Sequence, residues 1–361
     1  MEFQLQIPTK IIVGEGCVRK NAAVFSALGS HAAIVKSGSA DKNGALADVL
    51  YVLEKAGISA QICDNVPPNP SPDDVGALLG YAPNIDFVVA IGGGSAMDAA
   101  KGVAILAVND IEPMGMYKKP YVHCPLPVIA IPTTCGTGSE VTAVSVLEVE
   151  NTKKSVSSPE LFPVCALLDA VYLKTLPPQV AVDTALDALS HCVEGYLILD
   201  SPATQMFAEN AFEYFARIKC ALKKREFSQQ DAERMLYMST IGGIVISMAG
   251  TSAVHTIGYP LTVKRNIPHG RACALTLGEY VLFSYDVCTE KIDKMCAILQ
   301  VDGVRGFCAM LDELLGEKPT FTNEELELYT DIATEDACKK KNTKPLTKMD
   351  VLHLYLASLL G

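Results

Sequence analysis

The hydrophobic period of this chain changes once, at Leu176-Pro177-Pro178, and that change limits its possible folds more than any other feature. Before it, short β-branched or apolar runs alternate with helical patterns. Strands are predicted over Lys10–Val13, His31–Val35, Ala60–Cys63, Phe87–Ile91, Val128–Ile131 and Val141–Glu148, with helices over Ala45–Lys55 and Ala96–Ala107. Several of the runs are apolar on both faces, as parallel strands covered by helices must be. After it, Ala181–Leu197, Ala203–Lys223, Asp231–Met248, Gly270–Phe283 and Glu324–Lys339 carry a helical period, and convincing strands disappear. A chain of 361 residues also exceeds the usual size of one domain. The expectation is two domains. Residues 1–178 form a doubly wound α/β unit with a parallel sheet, able to bind a nucleotide at the carboxyl ends of its strands, and residues 179–361 form an all-helical unit. The proline pair reads as a turn between packed domains, which would place an active site in the cleft between them.

Composition removes several classes of function. The chain carries 30 Lys+Arg against 41 Asp+Glu, a net charge of −11, which argues against a nucleic-acid partner bound through its phosphates. Its 12 cysteines are scattered without a C-x-x-C pair, so zinc-finger spacing and a redox dithiol are both absent. They read as small core residues in a reducing cytoplasm. The start, Met1-Glu2-Phe3-Gln4, carries an acid and no apolar segment, so no secretory signal is expected. Met235–Val263 contains no Asp, Glu, Lys or Arg and is long enough to span a bilayer. It also holds Gly242, Gly243, Gly250, Gly258 and Pro260, and no second span accompanies it. One helix buried on all sides in the second domain is expected there, and no membrane partner.

Two loops in the first half suit phosphate. Gly92-Gly93-Gly94-Ser95-Ala96-Met97-Asp98-Ala99-Ala100-Lys101 follows an apolar strand directly. Three glycines at a strand end let backbone N–H groups approach a ligand, and the helix that follows presents its positive end. The pattern is neither G-x-G-x-x-G nor a Walker loop, and a glycine turn needed only for packing would look the same. Pro132-Thr133-Thr134-Cys135-Gly136-Thr137-Gly138-Ser139-Glu140 follows a second strand, and its hydroxyls exceed what a turn requires. Two such loops in one α/β unit point to a dinucleotide.

The chemistry of the second half rests on histidine. His191 follows Asp187 by four residues, so both face one side of a helix. His255 lies inside the uncharged stretch, where an unpaired imidazole is costly. His269 follows further along the chain, in Ile267-Pro268-His269-Gly270. One carboxylate and three imidazoles can bind a divalent ion, and imidazole suits Fe, Zn or Ni better than Mg or Ca. The competing reading is a set of hydrogen-bonded core histidines.

Together these segments resemble the iron-containing (group III) alcohol dehydrogenases. The likeness rests on the loops G-G-G-S-x-x-D-x-x-K and P-T-T-x-G-T-G-S-E, and on D-A-L-x-H-x-x-E followed by His255 and the P-H-G of Pro268-His269-Gly270. It runs from Ile12-Val13-Gly14-Glu15-Gly16 to Asn342-Thr343-Lys344-Pro345-Leu346-Thr347. The resemblance implies an N-terminal Rossmann-like domain, a helical metal domain, and hydride transfer between a nicotinamide and a small alcohol or aldehyde. It implies a divalent ion, Fe2+ ahead of Zn2+ or Ni2+, on Asp187, His191, His255 and His269, with His255 and His269 also catalytic. It places the cofactor on Gly93, Gly94, Ser95, Asp98, Thr133, Thr134, Thr137 and Ser139. A homodimer or higher homo-oligomer stays open. The alternative activity is that of a metal- and NAD-dependent lyase or cyclase related to dehydroquinate synthase, whose metal set is commonly two His and a Glu.

Two departures matter. Where many relatives have a second histidine four residues after the third ligand, this chain has Tyr259, which should share a helix face with His255 and point toward the site. Where NAD-preferring relatives often carry an Asp after the second strand, this chain has Ser37, with Lys36 and Lys42 nearby, which favours NADP(H) over NAD(H). The segment from Tyr259 to Gly270 is also similar to a branch that includes phosphonoacetaldehyde reductases. Lys264 or Arg265, if turned inward from a loop there, would hold an anionic aldehyde; turned outward, they are ordinary solvated charges.

Overall fold

The computed structural model describes residues 5–64, 66–82, 84–150 and 152–360. The first four residues, which bear on a secretory signal, lie outside that set. The chain divides into two compact units, one of residues 6–176 and one of residues 177–360 with Leu5.

The first unit is built on a parallel sheet of six strands: β1 (Lys10–Val13), β2 (His31–Lys36), β3 (Ser59–Cys63), β4 (Phe87–Gly92), β5 (Val128–Pro132) and, later in the chain, β8 (Cys165–Leu168). Their order is β1-β8-β5-β4-β2-β3. The helices between them are α1 (Cys17–Lys20), α2 (Ala22–Ser26), α3 (Ala45–Lys55), α4 (Pro72–Leu79) and α5 (Gly94–Leu106). Both faces of the sheet are covered: alternate residues of β4 belong to two different apolar clusters, Val88 and Ala90 to one, Phe87, Val89 and Ile91 to the other. That two-sided burial is why these strands read as continuous apolar runs. The chain leaves β3 at one edge and returns to β4 in the interior, so the direction of winding reverses between β2 and β4. In doubly wound sheets the carboxyl ends at such a reversal form the ligand crevice. Register places Lys36 opposite Ile91 and Gly92 opposite Pro132, so the loops leaving β2, β4 and β5 start side by side.

Two strands were not expected. β8 is only Cys-Ala-Leu-Leu, yet it lies fully buried between β1 and β5. β7 (Thr152–Ser157) pairs antiparallel with β6 (Val144–Val149) in a separate two-stranded ribbon. Its sequence, Thr-Lys-Lys-Ser-Val-Ser, carries charges and a mostly exposed face, which hides the strand period.

The second unit is helical: α6 (Pro178–Ile198), α7 (Pro202–Lys224), α8 (Gln229–Ala249), α9 (Ala253–Arg265), α10 (His269–Leu299), α11 (Gly303–Leu315), α12 (Asn323–Lys339) and α13 (Lys348–Leu359). The uncharged stretch is not the single helix expected from sequence. It breaks at Gly250, whose φ of +74° and ψ of −174° suit a residue without a Cβ, and α8 and α9 meet at 117°. No single described helix is long and apolar enough to cross a membrane; the bent pair passes on length and composition alone.

Candidate active site

Helix α6 presents Asp187, His191 and Glu194 at intervals of four and three residues, hence on one face, and all three are buried. Pro178 starts the helix, where its missing N–H costs nothing. The bend at Gly250 brings Ser252 and the first turn of α9 against this face. Glu194 then accepts hydrogen bonds from the backbone N–H (2.8 Å) and hydroxyl (2.6 Å) of Ser252, and from the N–H of His255 (3.4 Å). A carboxylate at a helix N-terminus is favoured by the helix dipole, and here it also meets the Nδ1 of His255. Burial alone would raise the Glu194 carboxyl, but His255 beside it and the bonds from His255 and Ser252 hold it below its usual range.

With Nδ1 committed to Glu194, His255 points Nε2 at Asp187, 3.7 Å from Oδ1. The Nε2 of His269, the first residue of α10, is 3.9 Å from the same oxygen. Neither Asp187 Oδ1 nor His255 Nε2 has a hydrogen-bond partner, although both residues are about 3% exposed. Two orphaned acceptors facing each other in an apolar interior cost several kcal/mol unless a cation lies between them. The donor set therefore fits a divalent ion.

Four donors converge within 4.8 Å of one another, from Asp187, His255, His269 and Cys273. The cluster does not include His191. That imidazole is buried with its ring stacked on His255, centroids 4.5 Å apart. Cys273 was not anticipated, although it lies one helical turn after His269, a spacing that puts both on one face of α10. Tyr259 shares a face of α9 with His255 as expected and stacks on His269 at 5.6 Å. Burial pushes its phenol up to about 12.

The other predicted residues gather at the winding reversal of the sheet. Gly93 is the N-cap of α5, and no side chain caps the first N–H groups of that helix. Glycine is required in this loop for packing as well as approach. A Cβ on Gly93 would come within 2.7 Å of the Thr134 hydroxyl, one on Gly94 within 2.6 Å of Thr137, and one on Gly92 within 2.9 Å of the Ser37 hydroxyl. The three loops thus touch through the space that the missing side chains leave. Thr133 is buried with its hydroxyl unpartnered, while the Ser95 hydroxyl accepts from the N–H of Asn69. Ser139 and Asp98 are turned into a buried network. The Ser139 hydroxyl donates to Asp98 and accepts from Lys101 at 2.7 Å. Lys101 also donates to the carbonyls of Ser139 and Val144 and to Thr142. Burial pushes the Lys101 ammonium down to about 8 against the pull of Asp98 and Glu140, and burial raises Asp98 against the pull of Lys101 and Ser139.

The pair Lys264 and Arg265 lies in the last turn of α9, not in a loop, and both are exposed. Arg265 is held by Glu325 at 2.7 Å and by the carbonyl of Thr320, and it stacks on Phe321. It does not serve as an inward anion clamp.

Comparison with known proteins agrees with this arrangement in both units. Residues 8–170 match the model of the iron-containing alcohol dehydrogenases, and residues 181–359 match the C-terminal model of the same family. The chain belongs to the iron-containing alcohol dehydrogenase family. It is 30% identical to the probable alcohol dehydrogenase EutG of Salmonella typhimurium, covering 98% of this chain and 93% of that one. An iron-containing alcohol dehydrogenase from Thermotoga maritima superposes with a TM-score of 0.92 at 34% identity, covering 100% of both chains. Sulfoacetaldehyde reductase from Bifidobacterium kashiwanohense, solved with NAD+, superposes with a TM-score of 0.88 at 26% identity, covering 99% of this chain and 98% of that one. The protein is an NAD(P)-linked alcohol dehydrogenase or aldehyde reductase acting on small alcohols and aldehydes, and none of these matches favours the lyase alternative.

Proposed function

We propose that this dehydrogenase works by metal-assisted hydride transfer, with the cofactor on residues 1–178 and a divalent ion, Fe2+ ahead of Zn2+ or Ni2+, on residues 179–361. The observation that carries the reading is the pair of orphaned buried acceptors, Asp187 Oδ1 and His255 Nε2, with His269 beside them. When bound, the ion supplies Lewis-acid polarisation of the substrate oxygen, which is strongest where negative charge develops in the transition state. Asp187 contributes a negative charge to a site of otherwise neutral donors. Glu194 holds the proton of His255 on Nδ1 and so keeps Nε2 as the donor. His191, whose ring stacks on that of His255, is the third imidazole of the proposed ligand set with Asp187, His255 and His269. Tyr259 keeps its Oη proton through the neutral range and acts as a hydrogen-bond donor beside His269, in place of the titrating histidine of many relatives.

On the cofactor side, the uncapped N-terminus of α5 and the hydroxyls of Ser95, Thr133, Thr134 and Thr137 bind the dinucleotide phosphates and ribose. Asp98 and Ser139 act through the Lys101 network that holds both loops. Ser37 leaves the place of the usual ribose-binding carboxylate without a charge, which supports NADP(H) over NAD(H). Lys36 is already paired with Asp41 at 2.8 Å, so the exposed Lys42 is the cation of this loop left for a 2′-phosphate. With Arg265 tied to α12, the substrate is a short, unspecialised aldehyde or diol, and the free cysteines support a reducing, cytoplasmic setting.

The test is metal content and turnover measured together. His255→Ala and His269→Ala are expected to lose bound ion and aldehyde reduction in parallel, and full turnover by metal-free protein would refute the reading. Arg265→Ala is expected to leave the ratio of kcat/KM for phosphonoacetaldehyde and butanal unchanged; a lower ratio would return Arg265 to the substrate site.

A further inference from the structure

We propose that Asn342 is a positioning residue of the metal centre: its carboxamide, from the segment between α12 and α13, caps the helix that carries His255 and so sets where that imidazole stands. The inference rests on the metal reading above and extends it to the C-terminal part of the chain.

The start of α9 needs an acceptor from outside. A serine at the N-cap ordinarily accepts an N–H of its own first turn, but the Ser252 hydroxyl donates to Glu194 and makes no cap bond. Glu194 also takes the N–H groups of Ser252 and His255. Between them stands the N–H of Ala253, the first residue of α9, and Asn342 Oδ1 accepts it at 2.9 Å from 89 positions away. The Nδ2 of the same carboxamide donates to the carbonyls of Ala337 (2.9 Å) and Lys340 (3.1 Å), at the C-terminal end of α12. One side chain thus joins two helix ends, one short of acceptors and the other short of donors. An amide suits both: a carboxylate has no proton to donate, and a flipped amide would set donor against donor.

The segment is fixed on its other side as well. Tyr280 of α10, fully buried, donates to Asn342 Oδ1 at 3.4 Å. Thr343 pairs with Ser284 at 2.8 Å, and Lys344 with Asp286 at 2.7 Å. Farther along, the Tyr355 hydroxyl of α13 donates to the Ile257 carbonyl of α9 at 2.5 Å. The C-terminal elements therefore hold α9 two residues before His255 and two residues after it. Glu194 orients the imidazole ring, and the bonds to Ala253 and Ile257 hold the backbone that carries it. Little movement is tolerated there. His255 Nε2 is 3.7 Å from Asp187 Oδ1, and two donors can share one ion only within about 4.2 Å.

The experiment measures Zn2+ affinity of the full chain by chelator competition, the d–d absorption of its Co2+ form, and KM for the dinucleotide. Asn342→Ala should bind Zn2+ about five- to tenfold more weakly and show a shifted Co2+ absorption, with KM for the dinucleotide unchanged. Asn342→Asp keeps the acceptor and drops the donors, and it should hold Zn2+ within about threefold of wild type. Lys344→Ala loosens the same segment away from α9, and it should lower Tm while leaving the affinity within about twofold. Wild-type affinity in Asn342→Ala overturns the proposal and leaves the metal reading intact; so does an equal loss in Asn342→Asp or Lys344→Ala. A wild type that binds neither Zn2+ nor Co2+ overturns both. Amide exchange at Ala253 of the wild type needs no variant: protection is expected, and free exchange overturns the proposal even if the substituted chains do not fold.

Discussion

The substitution Gly270→Ala separates a catalytic site from a merely well-packed helix pair. Gly270 is the second residue of α10, directly after the ligand candidate His269, and it lies against α6. A Cβ built there would sit 2.0 Å from the carbonyl oxygen of Asp183 and 2.7 Å from the Cβ of Asp187. The first clash is with backbone, so no rotamer relieves it. To reach an ordinary contact of 3.4 Å, the two helices must part by more than an ångström. If α10 takes up that movement, the His269–Asp187 separation grows from 3.9 Å to roughly 5 Å. Two donors sharing one ion at about 2.1 Å each cannot be more than about 4.2 Å apart, so the ion would be lost from one of them. Overpacking of this kind costs about 1–3 kcal/mol, or a fall in Tm of roughly 2–12 °C for a unit of this size. The assay is thermal denaturation with and without added Zn2+, together with metal content after dialysis and kcat for butanal. The variant should melt lower, hold less ion and lose kcat by about a hundredfold, the scale of an ångström-sized misplacement. An alanine variant with wild-type Tm and one retained ion per chain would show that the close approach of α10 to α6 does not set the donor geometry.

Three further outcomes follow from the same contacts. Glu194→Gln keeps the shape but removes the charge that orients His255, and metal affinity by chelator competition should fall about 10–100-fold; unchanged affinity would remove Glu194 from the centre. Lys101→Met strands the acceptors on Ser139, Thr142 and Val144 and leaves Asp98 uncompensated, so urea denaturation should report a loss of about 3–5 kcal/mol and KM for the dinucleotide should rise; a stable variant with unchanged KM contradicts the positioning role. Ser37→Asp should lower kcat/KM with NADPH at least about tenfold while sparing NADH, and equal effects on both cofactors, or a wild type tenfold better with NADH, would refute the preference.

What the sequence reveals and what it conceals have physical reasons. Residues 87–92 and 128–132 are legible as strands because their burial on both faces writes an unbroken apolar run. Four residues of β8, between Pro163 and a short 3-10 turn at Ala170–Leu173, are too few to establish any period, so only pairing with β1 and β5 makes them a strand. His255 could be singled out because a titratable residue in uncharged surroundings is costly, and Asp187 with His191 because an interval of four puts both on one helix face. Cys273 lacks that contrast, since a cysteine in an apolar helix is an ordinary core residue. Its one available signal is the interval of four from His269, which gains meaning only once His269 is a ligand candidate.

The break at Gly250 explains why the longest uncharged stretch of the chain can hold a histidine proposed to bind the metal. Had residues 235–263 formed one straight helix, His255 would be buried with no anion within that stretch to orient it. The conformation of Gly250 turns the chain by 117° and delivers Ser252 and the first turn of α9 to Glu194, which α6 carries on the same face as Asp187. The stretch can do without charge because α6 supplies it: Glu194 to one nitrogen of His255 and Asp187 towards the other. A hydropathy profile sees the uncharged partner and the charged partner as separate segments, and reads the first as a candidate span. Only the turn at one glycine joins them into a site.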